Sequence, residues 1–225
     1  MGGPARPSVL IATPTHDGSL DCRHVAALVE SVALLARAGI GHEIRYEVGN
    51  SLVADARNRL VAHFLAGRHG DLVFIDADIA WSPPDLLALL RHDAALVAGV
   101  YQRKSMAKLD FTVKFGPRIE ADAQGLLEAE RVGAGFLRLR RDGLERLVAA
   151  RPELKLRDPR DPSNTTLYAL FDGSIVDGEY IGEDYTFCDR WRAAGGRVLV
   201  DPRMRFTHIG SHGFDEPLMN HLKPR

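Results

Sequence analysis

The stretch Leu72-Val73-Phe74-Ile75-Asp76-Ala77-Asp78 gives the strongest indication of how this chain folds. Its first four residues are all apolar, which is typical of a strand covered on both faces in a parallel sheet. Two aspartates follow, with one small residue between them. In an extended segment, side chains two residues apart point to the same side. The stretch therefore predicts a buried strand whose end carries two neighbouring carboxylates.

The segments around this strand alternate between strand and helix patterns. Their order predicts βαβαβαβ and thus a parallel, doubly wound sheet, in which ligands bind beyond the carboxyl ends of the strands. The apolar and alternating runs predict strands, and the stretches with apolar residues three and four apart predict helices. The predicted elements are strands at 9–12, 43–48, 72–75 and 95–100, and helices at 23–38, 52–67 and 83–90.

The alternation is lost after about residue 105, so the second half is predicted to be mixed. Its patterns still predict individual elements, and two stretches rich in Gly, Pro and charged residues predict loops. The second of these, DGSIVDGEYIG at 172–182, is predicted to be mobile and is a candidate lid. We expect a single domain over residues 1–225. The predictions for this half are strands at 111–115, 136–139 and 198–200, helices at 142–150 and 183–194, and loops at 157–165 and 172–182.

The composition excludes several classes of protein. Of the 225 residues, 45% are hydrophobic and 26% charged, which is typical of a globular chain and not of a disordered one. The chain has 29 Lys and Arg and 30 Asp and Glu, so it has no excess of basic residues. A general nucleic-acid or anionic-membrane binder would need such an excess. No apolar run approaches the ~20 residues of a membrane span, and the first residues lack a signal peptide's apolar segment. We expect a soluble, cytoplasmic protein that binds no nucleic acid; its oligomeric state is not predicted.

The two aspartates at the strand end are a candidate metal site. Carboxylates held close together repel one another unless a cation lies between them. Oxygen ligands suit Mg²⁺ or Mn²⁺, which often complete their coordination with substrate phosphates. The small Ala77 between Asp76 and Asp78 leaves room for a substrate. The alternative interpretation is a pair of solvated aspartates at the end of a strand.

A set of motifs in a fixed order resembles the GT-A-fold nucleotide-sugar glycosyltransferases of the DxD type. The resemblance covers roughly residues 8–212, and each motif is weak by itself. The motifs, in chain order, are Thr13-Pro14-Thr15, Ala56-Arg57-Asn58, Asp76-Ala77-Asp78, Gly133-Ala134-Gly135-Phe136, Gly182-Glu183-Asp184 and Thr207-His208.

The resemblance implies a metal-dependent glycosyltransferase, and a hexosyltransferase fits best. Such an enzyme moves a sugar from a nucleotide diphosphate sugar to the hydroxyl of a sugar, lipid or small-molecule acceptor. Residues 1–105 correspond to the donor half and 106–225 to the acceptor half. A divalent cation, Mn²⁺ or Mg²⁺, would neutralise the leaving diphosphate. The implied ligands are Asp76, Asp78 and His208, with His212 as a competing candidate. The implied donor contacts are Thr13, Pro14, Thr15, Arg57, Asp76, Ala77 and Asp78.

On the acceptor side, the resemblance favours Asp184 as the general base, with Glu183 as substitute. Whether the reaction inverts or retains the anomeric configuration stays open. Glu183 and Asp184 also have a purely structural interpretation, because acidic residues stabilise the first turn of a helix. Likewise His208 has the interpretation of an ordinary packed histidine.

Arg57 and Asn58 could face the diphosphate or the strand ends, or could be a solvated arginine and a structural asparagine. The basic pair Arg103-Lys104, after the strand at 95–100, is a weaker candidate for contact with phosphate or acceptor, and an ordinary charged loop is the alternative.

Three other functions compete with this one. A haloacid dehalogenase-type phosphotransferase also places Asp-x-Asp after an apolar strand, but its motif normally lies near the amino terminus and has Thr or Val where Ala80 stands here. A nucleotidylyltransferase normally has a basic, glycine-rich loop after the first strand, which Thr13 to Gly18 lacks. A non-catalytic nucleotide- or sugar-binding module of the same fold is the third alternative.

Overall fold

The computed structural model describes residues 7–105, 108–157, 166–210 and 213–222. Within these ranges the strands are, in chain order, β1 (Ser8–Thr15), β2 (Gly41–Val48), β3 (Asp71–Ile75), β4 (Ile79–Trp81), β5 (Leu96–Gly99), β6 (Val113–Lys114), β7 (Leu127–Ala129), β8 (Arg131–Val132), β9 (Phe136–Arg140), β10 (Lys155–Arg157), β11 (Thr166–Tyr168), β12 (Ser174–Val176), β13 (Glu179–Ile181), β14 (Val198–Asp201), β15 (Phe206–Ile209) and β16 (Gly213–Phe214). The α-helices are α1 (Cys22–Arg37), α2 (Val53–Ala66), α3 (Pro83–Arg91), α4 (Arg141–Ala150) and α5 (Glu183–Ala193).

The central sheet has seven strands in the order β2-β1-β3-β9-β5-β14-β7. Strands β2, β1, β3, β5 and β14 run in one direction, and β9 and β7 run against them. The mostly parallel sheet flanked by helices agrees with the sequence-based prediction. The insertion of β9 between β3 and β5 was not predicted, because the pattern of Phe136–Arg140 indicates a strand but not its neighbours.

Both faces of the central sheet are covered by apolar side chains. Along β1, Leu10 and Ala12 belong to one cluster of buried residues, and Val9 and Ile11 belong to another. This alternation is what a strand between two layers of helices requires. Helices α1 and α3 pack on one another beside β4, and α2 contacts β1 and β2.

A second, three-stranded sheet joins the two halves of the chain. Strand β4 begins directly after Asp78 and pairs antiparallel with β15, so that Ile79 lies opposite His208. Strand β16 then extends the sheet on the other side of β15. The sequence predicted neither β4 nor β15, because strands of three and four residues are too short to show a periodic pattern.

Two of the predicted segments differ in the structure. Residues 172–182 contain the hairpin of β12 and β13 and not a structureless loop. Its turn is formed by Asp177 and Gly178, whose φ angles are 51° and 82°. A two-residue hairpin turn requires this backbone conformation, with positive φ at both residues. The predicted strand at 111–115 is reduced to Val113–Lys114. Most of the predicted loop at 157–165 lies outside the described residues.

The helices of the described ranges do not meet the requirements of a membrane span. None of them combines the length and the apolar character that crossing a bilayer needs.

Candidate active site

The candidate site lies at the edge of the central sheet where β3 and β5 end and β9 begins. A compact turn follows β3: the backbone N–H of Asp76 donates to the carbonyl of Gly135 at 3.0 Å, and that of Ile79 donates to the carbonyl of Asp76 at 3.0 Å. The buried hydroxyl of Tyr101, after β5, accepts a hydrogen bond from the N–H of Gly135 at 3.0 Å. A Cβ atom at Gly135 would lie 2.2 Å from that hydroxyl oxygen, so this close approach requires glycine.

Asp78 and His208 face one another at this edge. The pairing of β4 with β15 holds them together, with the N–H of Ile209 donating to the carbonyl of Asp78 at 2.7 Å. His208 Nε2 lies 3.7 Å from Asp78 Oδ2, and His208 Nδ1 lies 2.8 Å from the carbonyl oxygen of Gln102. A carbonyl only accepts hydrogen bonds, so Nδ1 carries a proton. The protonated imidazole attracts the carboxylate through Nε2. When the imidazole is neutral, Nε2 is the nitrogen with the lone pair, so a cation between Nε2 and the carboxylate would meet a ligand atom on each side.

The ammonium of Lys104 also contacts Asp78 Oδ2, and the Asp78 side chain is 42% exposed. Partial burial would raise the pKa of Asp78, but its contacts with His208 and Lys104 outweigh this and lower the pKa to about 2. Asp78 is therefore ionised throughout the physiological range. The ammonium of Lys104 places a positive charge beside this carboxylate.

Asp76 has different partners, although it is only two residues away. Both of its oxygens accept hydrogen bonds from Arg57 Nη2, at 2.9 and 3.2 Å. Nη1 of the same guanidinium donates to Glu183 Oε1 at 3.0 Å and to Asp184 Oδ1 at 2.7 Å. The Arg57 side chain is 3% exposed. We call Arg57, Asp76, Glu183 and Asp184 the acid–arginine cluster.

The charges of this cluster shift the pKa of its members. Burial lowers the pKa of the Arg57 guanidinium, but the carboxylates of Asp184, Asp76 and Glu183 outweigh it, so the pKa is raised. Burial also raises the pKa of Asp184 to about 6, with Arg57 opposing the shift. A carboxylate with such a pKa can take a proton near neutral pH, as a general base must.

The structure places the other predicted residues as follows. Thr13 is buried, and its hydroxyl has no hydrogen-bond partner within the described part of the chain. Thr15 donates its hydroxyl hydrogen to the carbonyl of Ser19 at 3.0 Å. Pro14 and Ala77 are half-buried. Their donor contacts stay predictions, and His212 lies outside the described residues.

Asn58 has the structural role that was one of the two interpretations of the sequence, whereas the supporting role of His24 was not predicted. The amide of Asn58 donates to Asp172 Oδ1 at 2.8 Å and accepts from the N–H of Phe171 at 3.0 Å, so it fixes the segment before β12. His24 is completely buried under the turn after β3, with Nδ1 3.0 Å from the carbonyl oxygen of Ile79. No spacing in the sequence pointed to His24, because its contact is with a residue more than 50 positions away.

The residues present fit a divalent cation that has two protein ligands. No group of three or more His, Cys, Asp and Glu side chains is arranged to hold a metal in the part of the chain that the structure describes. Asp78 and His208 are directed at one another, whereas Asp76 is directed at Arg57. One carboxylate and one imidazole suit Mn²⁺, and such a cation takes its other ligands from water and from the phosphates of a substrate.

The order of the central sheet and the position of this site define a GT-A-like α/β fold. No protein-family model matches the chain, and no curated protein matches it by sequence. Among solved structures, A197 from STIV matches with a TM-score of 0.54 and 18% identity, over 90% of this chain and 86% of that one. At this identity the match shows the fold alone, and the predicted fold class is confirmed.

Two further solved structures match with TM-scores below 0.5. One is a mutant of Drosophila β-1,4-galactosyltransferase 7 in complex with manganese, UDP-Gal and xylobiose, with a TM-score of 0.49 and 16% identity, over 91% of this chain and 71% of that one. The other is GalNAc-T7 with UDP, GalNAc and Mn²⁺, with a TM-score of 0.47 and 11% identity, over 91% of this chain and 43% of that one.

Proposed function

We propose that this protein is a metal-dependent glycosyltransferase, which moves a sugar from a nucleotide diphosphate sugar to an acceptor hydroxyl. The observation that carries the proposal is the approach of Asp78 and His208 at the carboxyl edge of the sheet. These residues come from opposite halves of the chain, and the Gln102 carbonyl orients the imidazole. A sheet pairing that serves only packing would not require this orientation.

In this proposal Asp78 and His208 hold Mn²⁺ or Mg²⁺. The cation supplies Lewis acidity, which stabilises the negative charge of the leaving diphosphate. Lys104, which now contacts Asp78, is long and flexible enough to move to a phosphate oxygen when the cation takes its place. Asp76 holds Arg57 and thus fixes the turn after β3; its alternative role is contact with the ribose or with a metal-bound water.

Asp184 is the proposed base on the acceptor side. It accepts the proton of the attacking hydroxyl, and Glu183 is the neighbouring carboxylate that could replace it. Arg57 fixes the orientation of both carboxylates, since one nitrogen of its guanidinium contacts the two of them. Residues 1–105 then form most of the donor side, and the acceptor side comes from residues 106–225.

The geometry gives less support to the phosphotransferase alternative. That chemistry needs the first aspartate of the pair as a free nucleophile. Here both oxygens of Asp76 accept hydrogen bonds from a buried arginine, which reduces their nucleophilicity. A phosphatase assay with a generic phosphoester tests this alternative directly.

Binding of nucleotide sugars tests the proposal. We expect one or more of UDP-, GDP- and dTDP-sugars to raise the melting temperature in the presence of Mn²⁺, and a chelator to remove the shift. In Asp78→Ala the affinity for the same nucleotide should fall at least about 100-fold, because one of two protein ligands is lost. The matched control is Asp142→Ala, another exposed aspartate in an ion pair, which should bind like the wild type.

The result that would overturn the metal site is a Mn²⁺-dependent affinity that Asp78→Ala leaves unchanged. Nucleotide binding without product formation across a broad panel of acceptors would favour the non-catalytic module.

A further inference from the structure

Strand β2 forms an edge of the central sheet. It stands first in the order of the strands, and among the described residues it pairs with β1 alone. The N–H of Gly41 donates to the carbonyl of Pro7, just before β1, at 3.0 Å. Because successive residues of a strand direct their N–H and C=O groups to opposite sides, the groups of every second residue after Gly41 also point towards β1. The groups that point outwards belong to His42, Ile44, Tyr46 and Val48.

This edge lacks several features that usually prevent a strand from pairing with another one. Such features are prolines, lysines, bulges and a very short length. The sequence of β2, GHEIRYEV, has eight residues and contains neither proline nor lysine. Its register with β1 is continuous from Gly41 to Val48, so no bulge interrupts it. The outer edge of β2 therefore has the geometry that pairing with a further strand needs.

Helix α1 has an apolar flank beside this edge. Ile44 of β2 packs in the same apolar cluster as Ala27 and Leu28 of α1, so the helix covers β2 on this face of the sheet. On the flank, Val25 is 38% exposed and Val29 is 63% exposed. A spacing of three and four residues places its members on one side of the helix. We call them the α1 flank, and they are Val25, Val29, Val32 and Ala36.

The α1 flank faces the β2 edge and not the interior of the molecule. The Arg and Glu residues of α1 follow one another at intervals of seven, which places them together on the other side of the helix. That side faces the three-stranded sheet, because a Cβ atom at Gly213 in β16 would lie 3.7 Å from Arg23 Nη1. In the right-handed connection that β-α-β units adopt, the opposite side of the helix is directed towards β2. The Arg and Glu residues are Arg23, Glu30 and Arg37.

The charges of β2 fit a second copy of the same strand. A closed dimer has a two-fold axis, so the strand meets its copy antiparallel, and residues with outward groups face one another. The possible centres near the middle of β2 are Ile44, Arg45 and Tyr46. With Arg45 at the centre, Glu43 would oppose Glu47, and like charges across a strand pair are destabilising. With Ile44 at the centre, Glu43 opposes Arg45 of the second copy twice, and more of the strand overlaps than with Tyr46 at the centre.

The size of this surface predicts a weak dimer. The eight residues of β2 span about 26 Å, and the 16 residues of α1 span about 24 Å. With a strand layer and a helix layer of about 10 Å each, the two elements present roughly 500 Å² per copy. The total of about 1,000 Å² is at the low end of specific interfaces. A strand spacing of about 4.8 Å also brings a helix above β1 and β2 to about 10 Å from its copy, which is the usual distance between packed helices.

We propose that β2 and the α1 flank bind a second copy of this chain, with the two β2 strands paired antiparallel about Ile44. The two central sheets then form one continuous sheet, and the two α1 helices pack on one another above it. A second copy is the partner that fits, because this pairing satisfies the outward backbone groups and the alternating charges of β2 together. The surface lies at the lateral edge of the sheet, away from Asp78 and His208, so the inference does not depend on the proposed function.

Sedimentation velocity of the full chain tests the interface. We expect the wild type to shift from monomer to dimer between about 5 and 200 µM. Val29→Lys should weaken the dimer at least about tenfold, because it places a charge in the α1 flank, and the exposed position should tolerate lysine in the folded monomer. Val176→Lys is the matched control. It changes an exposed valine of β12, outside the proposed interface, and should dimerise within about twofold of wild type.

Charge exchange in β2 tests the register. Arg45→Glu and Glu43→Arg each place like charges opposite one another at both symmetry-related positions. Each variant alone should therefore dimerise at least about tenfold more weakly than wild type. An equimolar mixture of the two variants restores unlike pairs at both positions and should form a heterodimer with nearly the affinity of the wild type. Circular dichroism of each variant checks that it is folded.

Three results would overturn the inference. The first is a wild type that stays monomeric up to about 200 µM. The second is a Val29→Lys variant that dimerises as tightly as wild type. The third is a mixture of the two folded charge variants that stays monomeric, because the register about Ile44 requires the heterodimer.

Discussion

The carboxylate of Asp76 is held from inside the protein by Arg57, whereas that of Asp78 faces His208, Lys104 and solvent. One residue separates the two aspartates, and as a sequence pattern they are equivalent. The turn after β3 makes them different, since it directs Asp76 at the helices and carries Asp78 into the pairing of β4 with β15. In the proposed function, this motif therefore supplies one carboxylate for the scaffold and one for the cation.

The two aspartates also differ in how much free energy is lost when their contacts are broken. Breaking the contacts of Asp76 would leave a buried guanidinium with fewer partners, which is strongly destabilising. Breaking the contact between Asp78 and Lys104 costs little free energy, because both groups are reached by water. The contacts that a cation or a phosphate would replace in the proposed function are therefore the weak ones.

The largest expected effect comes from removing the centre of the acid–arginine cluster. Arg57→Met should lower the free energy of unfolding by about 3–5 kcal/mol, because three carboxylates lose their common partner. Urea denaturation measures the change. The matched control is Arg197→Met, whose ion pair with Glu128 is exposed and should contribute less than about 1 kcal/mol. Equal losses in the two variants would mean that the cluster is no more important for stability than a surface ion pair.

A direct comparison of the two aspartates should give the next largest effect. Asp76→Asn should lower the free energy of unfolding by about 1.5–3 kcal/mol, since it weakens charged hydrogen bonds to a buried arginine. Asp78→Asn should change it by less than about 1 kcal/mol. Denaturation without added metal measures both. The proposed division of roles is wrong if Asp78→Asn is the less stable of the two.

The packing of three strand ends around Gly135 should also be sensitive to an added side chain. A Cβ atom at this position would lie 2.8 Å from Asp76 Oδ2 as well as close to Tyr101, so Gly135→Ala should lower the free energy of unfolding by about 1–3 kcal/mol. Gly182→Ala is the control, because a Cβ atom added there would meet none of the described residues within 4 Å and the φ of Gly182 is −63°. Equal stability of the two variants would contradict the packing described at the end of β3.

The smallest expected effect is on the pH dependence of turnover. A base must be ionised, and burial raises the pKa of Asp184 to about 6. Turnover should therefore be half-maximal near the pKa of about 6, level from about one pH unit above it, and fall about tenfold per pH unit well below it, as Asp184 takes up a proton. A pH–rate profile at saturating donor measures this limb. The activity that remains in Asp184→Asn should not show this fall in turnover at acidic pH. If the fall is still present in that variant, another group is responsible for it.

Parts of the site were predictable because local sequence carries them. Four apolar residues before Asp76 predicted a buried strand, and the acidic pair Glu183 and Asp184 correctly marks the first turn of α5. The segment at 172–182 was predicted to be a loop, because closely spaced glycines are typical of mobile segments. In the structure one glycine provides the turn of a hairpin and another lies under the ring of Tyr180.

The sequence by itself determined the alternation of strands and helices, the buried character of β3 and the positions of the acidic residues, because hydrophobic periodicity and chain order act over short distances. The approach of His208 to Asp78 was implied by the family resemblance and by no local pattern. Only the tertiary structure decided that β9 lies antiparallel between β3 and β5, and that Arg57 joins Asp76 to Glu183 and Asp184. These contacts connect residues far apart in the chain. They depend on which strands pair, and on which buried charged groups need a partner of opposite charge. Neither can be predicted from a local sequence pattern.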